Sequence, residues 1–392
     1  MTLVAPVARK PGAMKTTLRR SHPILAALAA ALALAACGQT GAGTSSTPRA
    51  TATPQATRAL QTCFGAAPAG WAGVQRAALA TTQFGPQVVA ASGDRVFGSY
   101  RTTAGEQGIA SMDLTSGALT SIVPSLGGEL AAAPPWLAWV EPTGHINPGP
   151  WALRARNLDT GEQLTLATSR LPNGTDGLPE PGGLALHGSV LAWTQPTSID
   201  LRTPAAELRV YNLAAHKQSA LDTGVLGAPV LAGTYLVWTH GEGDGAGLQA
   251  VDASTLLPAA LPPRLRAQTG IRALAGSPDY LFWDTDRNHG AAWRIDRDQL
   301  TTFTIDEPRG LQFVSVAGHF LLWSIGSPPG SLVMDLDTGG GYLLPSAGLA
   351  GSDAVIVRTG PLGASNPKSG SAGTTVSVLA MSSAPAIPGC RG

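Results

Sequence analysis

The sequence has little charge and few of the side chains that long surface helices use. Aspartate, glutamate, lysine and arginine make up 13% of the 392 residues, about half the share in an average soluble protein. Only four lysines occur, and no stretch after residue 37 joins a capping residue to an amphipathic run of helical length. Helical repeats are therefore excluded, and a formal net charge of +1 excludes a nucleic-acid-binding protein held by bulk positive charge.

Cysteines and catalytic motifs are also scarce, whereas glycine and proline are frequent. The chain has three cysteines, and its 48 glycines and 31 prolines are about 20% of all residues, below the roughly 25–30% of disordered chains. It contains no G-x-S-x-G elbow and no glycine-rich phosphate loop between a strand and a helix. The sequence therefore predicts a folded, turn-rich protein and assigns no catalytic residue.

The first 36 residues have the composition of a secretory signal. Basic residues precede an unbroken apolar run over 24–36, which as a helix would span about 20 Å, too short for a hydrocarbon core of about 30 Å. The letters LAAC that end at Cys37 resemble the lipobox of bacterial lipoproteins. The resemblance implies cleavage before Cys37 and attachment of lipid to its sulfur, and Met14 is the expected start of this signal.

A Ser/Thr/Pro-rich tract without hydrophobic periodicity follows the cysteine. We predict a disordered tether over 37–60 and a folded domain over 61–392. Loss of residues 1–36 removes five basic residues and leaves 21 basic against 25 acidic residues, a net charge of −4. Membrane contact is therefore expected to depend on acyl chains, and the protein is expected in the cell envelope, outside the cytoplasm.

Two short patterns alternate along the folded domain. The first is a glycine, four further residues and a tryptophan that ends an apolar triplet, with variant copies that lengthen the pattern or lack the glycine; it ends at Trp139, Trp193, Trp238, Trp283 and Trp323. The second is an alternating strand that ends in an Asx turn; its copies end at Asp113, Asn157, Asn212, Asp252, Asp296, Asp335 and, in decayed form, Ala380. The mean step of the second pattern is about 44.5 residues.

Each unit contains four runs of strand length. In the fourth unit, residues 229–261, these runs are PVLAG, YLVWT, GLQAVD and LPAAL. Four strands in 40–45 residues are what a propeller blade requires. We therefore predict an all-β, seven-bladed β-propeller, with six or eight blades as alternatives; a β-sandwich would explain short strands but not a fixed period.

The combined pattern G-x-x-[LV]-x-W and [LV]-x-V-x-[DN]-L-x-T-G resembles the TolB-type, WD40-like propellers of bacterial envelopes over about residues 84–383. The resemblance implies a β-propeller and, for many members, binding of proteins. The remaining cysteines, Cys63 and Cys390, flank the repeats, and in an exported protein such a pair predicts a disulfide. Residues 64–82 are expected to supply a strand to the last blade.

Polar residues concentrate in the loops between second and third strands, which share one side of a propeller. We predict a binding face there, with ordinary solvated loop tips as the alternative; the candidate residues are Glu141, His145, His240, Glu242, Asp244, Asp284, Asp286, Asn288 and His289. No cofactor is expected, apart from two weak metal candidates. Asp284, Asp286 and Asn288 are spaced like the start of a Ca²⁺ loop, although the glycine follows one position late. The segment 240–244 offers nitrogen and oxygen ligands for a transition metal.

Most tryptophans are expected to have a structural role. Those of the first pattern should fill the gaps between neighbouring blades, whereas Trp136, Trp151 and Trp293 fall outside the pattern and are candidates for a surface contact. For function we predict a non-catalytic scaffold or recognition module that binds a protein or peptide partner in the envelope and no nucleic acid. The alternatives are a propeller hydrolase or lyase that uses histidines and carboxylates of these loops, and a solute- or glycan-binding lipoprotein.

Overall fold

The structure is a computed structural model, and the chain divides into two units, residues 1–52 and 53–392. The structure describes only part of the second unit: residues 57–66, 71, 75–81, 84–101, 107–113, 115–116, 118–125, 127–143, 149–171, 174, 177–199, 205–305, 314–325, 330–344, 348–350, 354–359, 374–380 and 384–390. The predicted signal, Cys37 and most of the predicted tether lie outside these residues. Within them, no helix has both the length and the apolar character needed to cross a bilayer.

Most of the described residues lie in β-strands. Three strands precede the repeats: β1 (Arg58–Gln61), β2 (Cys63–Gly65) and β3 (Gln75–Thr81). Sheet 1 contains β4 (Phe84–Ser92), β5 (Arg95–Arg101), β6 (Gln107–Asp113) and β7 (Leu119–Val123). Sheet 2 contains β8 (Leu130–Ala133), β9 (Trp136–Pro142), β10 (Trp151–Asn157) and β11 (Gln163–Thr168). Sheet 3 contains β12 (Gly182–His187), β13 (Val190–Pro196), β14 (Ala206–Asn212) and β15 (Lys217–Gly224).

Four further sheets follow in chain order. Sheet 4 contains β16 (Val230–Ala232), β17 (Tyr235–His240) and β18 (Gly247–Asp252), with a 3₁₀ turn (Gly243–Gly245) between the last two and the short helix α1 (Pro263–Arg266) after them. Sheet 5 contains β19 (Ala273–Gly276), β20 (Tyr280–Asp284), β21 (His289–Arg294) and β22 (Gln299–Thr304). Sheet 6 contains β23 (Ser315–Ala317), β24 (Phe320–Ile325), β25 (Gly330–Asp335) and β26 (Gly340–Leu344). Sheet 7 contains β27 (Gly348–Ala350), β28 (Ala354–Thr359) and β29 (Thr374–Ala380).

Within the described residues, the strands of each numbered sheet are antiparallel to their neighbours, and the seven sheets follow one another as a β-propeller; only the added strands β1 and β2 pair in parallel. The first strands contact each other in the order β4, β8, β12, β16, β19, β23 and β27, and β27 contacts β4 again. The N-terminal strand β3 pairs antiparallel with β29 and completes sheet 7, which confirms the strand predicted from residues 64–82. The all-β propeller fold is therefore present, and the described residues form seven sheets.

The loops of the sheets lie at two opposite ends because every sheet repeats the same strand order. We call the end that carries the loops between second and third strands the upper face; its described loops include 197–199, 241–246 and 285–288. The other end, which carries the turns after the third strands, is the lower face.

The lower-face turns form as the second sequence pattern predicts. Asp113 Oδ1 accepts the backbone N–H groups of Thr115 and Ser116 at 2.9 and 2.7 Å, and a side-chain oxygen has the same role at Asn157, Asn212, Asp252 and Asp335. In several of these turns the fifth residue has the left-handed conformation: Gly161 (φ 78°), His216 (φ 52°), Leu256 (φ 59°) and Gly339 (φ 75°).

The turn of sheet 5 differs from the prediction. Tyr280, the first residue of β20, pairs with Arg294. In sheet 6 the corresponding first residue, Phe320, pairs with Asp335. Arg294 therefore takes the place predicted for Asp296, and its guanidinium lies 2.9 Å from a carboxylate oxygen of Asp337 in the neighbouring turn. This ion pair links the lower-face turns of sheets 5 and 6 and supplies a contact that an Asx turn could not.

The core consists of layers between neighbouring sheets. The pattern tryptophans are at most 5% exposed, and each packs against apolar side chains of the preceding sheet; they are Trp139, Trp193, Trp238, Trp283 and Trp323. The predicted structural role is confirmed. The prediction that Trp136, Trp151 and Trp293 are surface residues is wrong, because all three are at most 4% exposed and belong to the same layers.

Sheet 4 lacks the fourth strand that the sequence LPAAL predicted. Within residues 205–305, all of which are described, β18 meets this segment only at an isolated bridge between Val251 and Pro258. Two backbone hydrogen bonds flank this bridge, from Asp252 N–H to Leu257 O at 2.9 Å and from Ala259 N–H to Ala250 O at 3.1 Å, but the N–H of Leu261 donates to Ala259 O at 3.0 Å and does not continue the ladder. Pro262 and Pro263, which have no N–H group, then begin helix α1. The buried side chains of Leu261 and Leu265 then cover the layer between sheets 4 and 5.

Both ends of the described chain lie at sheets 5 and 6. Strand β1 pairs parallel with β22, so the folded part already includes Arg58, and β2 pairs parallel with β26. The predicted disulfide between Cys63 and Cys390 is present, with a Cα–Cα distance of 5.6 Å. The C-terminal segment crosses sheet 6, where the N–H of Ile387 donates to Asp335 Oδ2 at 3.1 Å.

Candidate functional site

The upper face brings most of the predicted side chains to adjacent sheets. Glu141 lies near the end of β9 in sheet 2. In sheet 4, His240 ends β17, Glu242 precedes the 3₁₀ turn and Asp244 lies within it. In sheet 5, Asp284 ends β20, Asp286 and Asn288 lie in the following loop, and His289 begins β21. His145 lies outside the described residues. The repeat places these groups together because the second strand of every sheet ends on this face.

His240 contacts a carboxylate of the neighbouring sheet. Its Nδ1 lies 2.8 Å from Asp222 Oδ2, on β15 of sheet 3. The same oxygen accepts the indole N–H of Trp238 at 2.7 Å. The side chain of His240 is nevertheless 43% exposed, against 20% for Asp222. A half-buried carboxylate therefore orients an imidazole that remains open to solvent.

Asp222 is ionised more readily than an ordinary aspartate. Burial alone would raise its pKa, but the hydrogen bonds from His240, Trp238 and the backbone N–H of Thr223 favour the charged form and hold the pKa of Asp222 below its usual value. Sequence reasoning missed this residue. It lies on a fourth strand, and only the contact between sheets 3 and 4 brings it to the upper face.

The second exposed imidazole, His289, is held by its own loop. Its Nδ1 lies 2.9 and 2.8 Å from the two carboxylate oxygens of Asp286, and both side chains are more than half exposed. Asp286 Oδ1 also accepts the backbone N–H of Asn288 at 2.7 Å, and this bond is the main cause that lowers the pKa of Asp286. Asn288 turns its amide to the carbonyl of Ile305 at 3.1 Å.

Asp284 is a structural residue of sheet 5 more than a member of the exposed face. It is 6% exposed, and its Oδ1 accepts the backbone N–H of Ala273 at 2.7 Å, where β19 begins. Burial raises the pKa of Asp284. The carboxylates of Asp284 and Asp286 thus accept hydrogen bonds from different backbone groups, and Asn288 donates its amide N–H to Ile305. In the part of the chain that the structure describes, no three His, Cys, Asp or Glu side chains are grouped as a metal site would need.

Two glutamates of the upper face, Glu141 and Glu129, are bonded to neighbouring groups of the protein. Glu141 forms a 2.8 Å ion pair with Arg154 of the adjacent strand β10. Glu129, which neither sequence pattern points to, precedes β8, and its Oε1 accepts the backbone N–H of Leu184 at 2.8 Å. This N–H lies where the register of β12 shifts. Burial of the carboxylate raises the pKa of Glu129, and the bond links the first strands of sheets 2 and 3.

No protein-family model matches the chain, and no curated protein matches its sequence. Similar solved structures include one of two prolyl endopeptidases studied for the role of inter-domain dynamics in catalysis and specificity, with 14% identity, a TM-score of 0.52 and coverage of 80% of this chain and 49% of that chain. TolB from Acinetobacter baumannii has 15% identity, coverage of 65% of each chain and a TM-score of 0.42. A chain of the mitotic checkpoint complex has 12% identity, coverage of 83% and 96%, and a TM-score of 0.47.

The likeness to these structures concerns the fold alone. The chain spans about half the length of the endopeptidase, and identities near 15% carry no site residue from one protein to another. TolB is among the similar structures, and the β-propeller that the resemblance to TolB-type, WD40-like propellers implies is present in the sheets of this chain themselves.

Proposed function

We propose that this protein is a membrane-anchored, extracytoplasmic β-propeller that recognises a protein or peptide partner in the cell envelope without catalysing a reaction. The observation that carries the proposal is the pair of exposed imidazoles on adjacent sheets. An aspartate holds each of them, His240 through Asp222 and His289 through Asp286. Side chains that are already oriented lose little conformational entropy on binding.

The membrane part of the proposal is supported by the sequence around Cys37. The lipobox resemblance, the short apolar run before it and the Ser/Thr/Pro-rich tether after it are the features of an acylated envelope protein. Metabolic labelling of cells with an alkyne-bearing fatty acid tests this part by itself. Label is expected on the wild type and not on Cys37→Ser, and equal labelling of both would contradict the anchor.

A photo-cross-linking experiment tests the recognition role. A photoreactive amino acid replaces Glu242, which is exposed on the upper face, and the matched control replaces Asp159, which is exposed in a lower-face turn. After irradiation of intact cells, the first variant should form one dominant adduct and the control should not. Absence of an adduct at Glu242 and at a second upper-face position, Asp244, would overturn the proposal.

One observation favours the alternative of a propeller enzyme. A carboxylate bonded to one nitrogen of an exposed histidine, as Asp222 is to His240, is also how enzymes orient a general base. A peptide or ester hydrolysis that the purified domain performs and that His240→Gln abolishes would establish this alternative. Trp136, Trp151 and Trp293 are buried, so these three side chains do not support a glycan-binding role.

A further inference from the structure

The contact with Asp222 determines which nitrogen of His240 faces the solvent. An ionised carboxylate can only accept hydrogen bonds, so the 2.8 Å contact with Asp222 Oδ2 requires the proton on Nδ1. In the neutral imidazole, Nε2 is then an acceptor with a free lone pair. The indole N–H of Trp238 donates to the same oxygen and fixes the carboxylate in this position.

Gly224 keeps Nε2 accessible. The imidazole lies over this glycine, where an added Cβ would come within 3.3 Å of Cε1 and 3.4 Å of Nε2. Any side chain at this position would therefore crowd the edge of the ring that carries the acceptor. The glycine has a φ of 141°, a conformation that residues with a Cβ rarely adopt, so the backbone itself favours an uncovered ring.

The charged groups near His240 are mostly acidic. Its own loop carries Glu242 and Asp244, both exposed, and the neighbouring sheet contributes Asp222. The loop also approaches the segment before β19, because a Cβ built on Gly270 would lie 4.0 Å from the Cα of Asp244.

Most positive groups on the surrounding elements act on other carboxylates. Burial raises the pKa of Asp284, and Arg272, next to β19, opposes this by favouring the ionised form of that carboxyl. Helix α1, which packs against β18, carries Arg264, paired with Asp298, and the exposed Arg266. The acidic excess around the accessible acceptor is complementary to a cation with N–H donors.

We propose that Nε2 of His240 accepts a hydrogen bond from an arginine or lysine side chain of the polypeptide partner, and that acidification releases this contact. This inference rests on the proposed recognition function. When Nε2 is protonated it becomes a donor and the ring becomes cationic, so it repels the group that it bound before. Binding should therefore be stronger at about pH 8 than at about pH 5.5.

The tautomer of His240 is the first test. Nitrogen-15 NMR of the imidazole in the full mature domain should show Nδ1 protonated and Nε2 unprotonated at about pH 8. His187→Gln and His289→Gln spectra help to assign the signals of other described imidazoles. A neutral ring with its proton on Nε2 would overturn the proposal, because no lone pair would then face the partner.

The second test measures binding of a fluorescent octa-arginine peptide at about pH 8 and about pH 5.5. The wild type should lose about fivefold in affinity at the lower pH, the effect of one lost hydrogen bond, whereas His240→Gln should bind equally at both pH values. The matched control His216→Gln, on the lower face, should retain the wild-type response; circular dichroism verifies that both variants fold. An unchanged pH response in His240→Gln would refute the role of His240, whereas the cross-link at Glu242 would still report on partner recognition.

Discussion

Single side chains decide what the upper face can offer a partner. Glu141 and Asp284, both predicted as binding residues, are engaged with Arg154 and with the backbone of Ala273. The side chains of His240, Glu242 and Asp244 remain exposed to solvent. The sequence could predict that these residues share one face, because strand period determines loop position. It could not predict the partner of His240, since Asp222 arrives from another sheet.

The left-handed residue of the sheet 3 turn leads to a stability prediction. His216 has a φ of 52°, a conformation that costs an L-residue about 1–2 kcal/mol relative to glycine. The exposed contact between His216 and Glu162 offsets only part of this conformational free energy. We expect His216→Gly to raise the free energy of unfolding in urea by about 0.5–1 kcal/mol.

The corresponding turn of sheet 2 supplies the control. Gly161 has a φ of 78°, and Gly161→Ala should lower the free energy of unfolding by about 1 kcal/mol. If His216→Gly were less stable than the wild type, residue 216 would not have a left-handed backbone.

The Asx turn of sheet 4 leads to a pH prediction. The hydroxyl of Ser254, followed by the N–H and hydroxyl of Thr255, lowers the pKa of Asp252 to about 2. Because the unfolded chain has the ordinary value of 3.8, this contribution to stability is complete above that pH and is lost as the pH falls towards 2. Carbon-13 NMR of the Asp252 carboxyl should show a midpoint near 2, and Ser254→Ala should raise it. A wild-type midpoint near 4 would contradict the turn.

Strands and sheets were the most predictable part of the molecule. The tryptophan pattern predicted the second strand of five sheets because each indole must fill the layer against the preceding sheet. Sheet 4 was mispredicted at the end of its last apolar run: LPAAL has the length of a strand, but the N–H of Leu261 bonds to Ala259, and Pro262 and Pro263 supply no donor and begin helix α1. The burial of Trp293 was not predicted. The indole N–H of Trp293 donates to Asp298 at 2.9 Å, and the sequence did not reveal the register of the turn that carries Asp298.

Removal of one pattern tryptophan should weaken the whole domain. Trp283 is fully buried between sheets 4 and 5, and Trp283→Ala should cost about 3–5 kcal/mol in chemical denaturation. Leu257→Ala is the matched control, because Leu257 is 65% exposed and should change stability by less than about 0.5 kcal/mol. Similar small effects for both variants would show that the layer is not packed around the indole.

The chain as a whole is closed by its two ends. Sequence spacing predicted the disulfide and a strand from residues 64–82, and β3 completes sheet 7 as expected. The parallel additions of β1 and β2 were not predicted, because a strand of three or four residues at a sheet edge has no distinctive pattern. These additions hold the N-terminal segment against sheets 5 and 6, beside the C-terminal residues.

Loss of the disulfide should destabilise the closed domain. Cys63 and Cys390 are 327 residues apart, and a bond across so long a loop restricts the unfolded chain strongly. We expect the double variant Cys63→Ser/Cys390→Ser to lose about 2–5 kcal/mol of unfolding free energy in urea. Wild type treated with reductant should match the double variant, and equal stability of oxidised wild type and double variant would show that the disulfide contributes nothing.

The affinity of the cross-linked partner for charge-reversed domains tests the proposed recognition face most directly. Glu242→Lys/Asp244→Lys reverses two exposed charges beside His240, and Asp159→Lys/Asp279→Lys reverses two exposed charges on the lower face. Titration calorimetry should show at least about a tenfold loss for the first pair, the effect of about 1.4 kcal/mol, and less than about a twofold change for the second. Equal losses for both pairs, or a loss confined to the second, would contradict a partner site on the upper face.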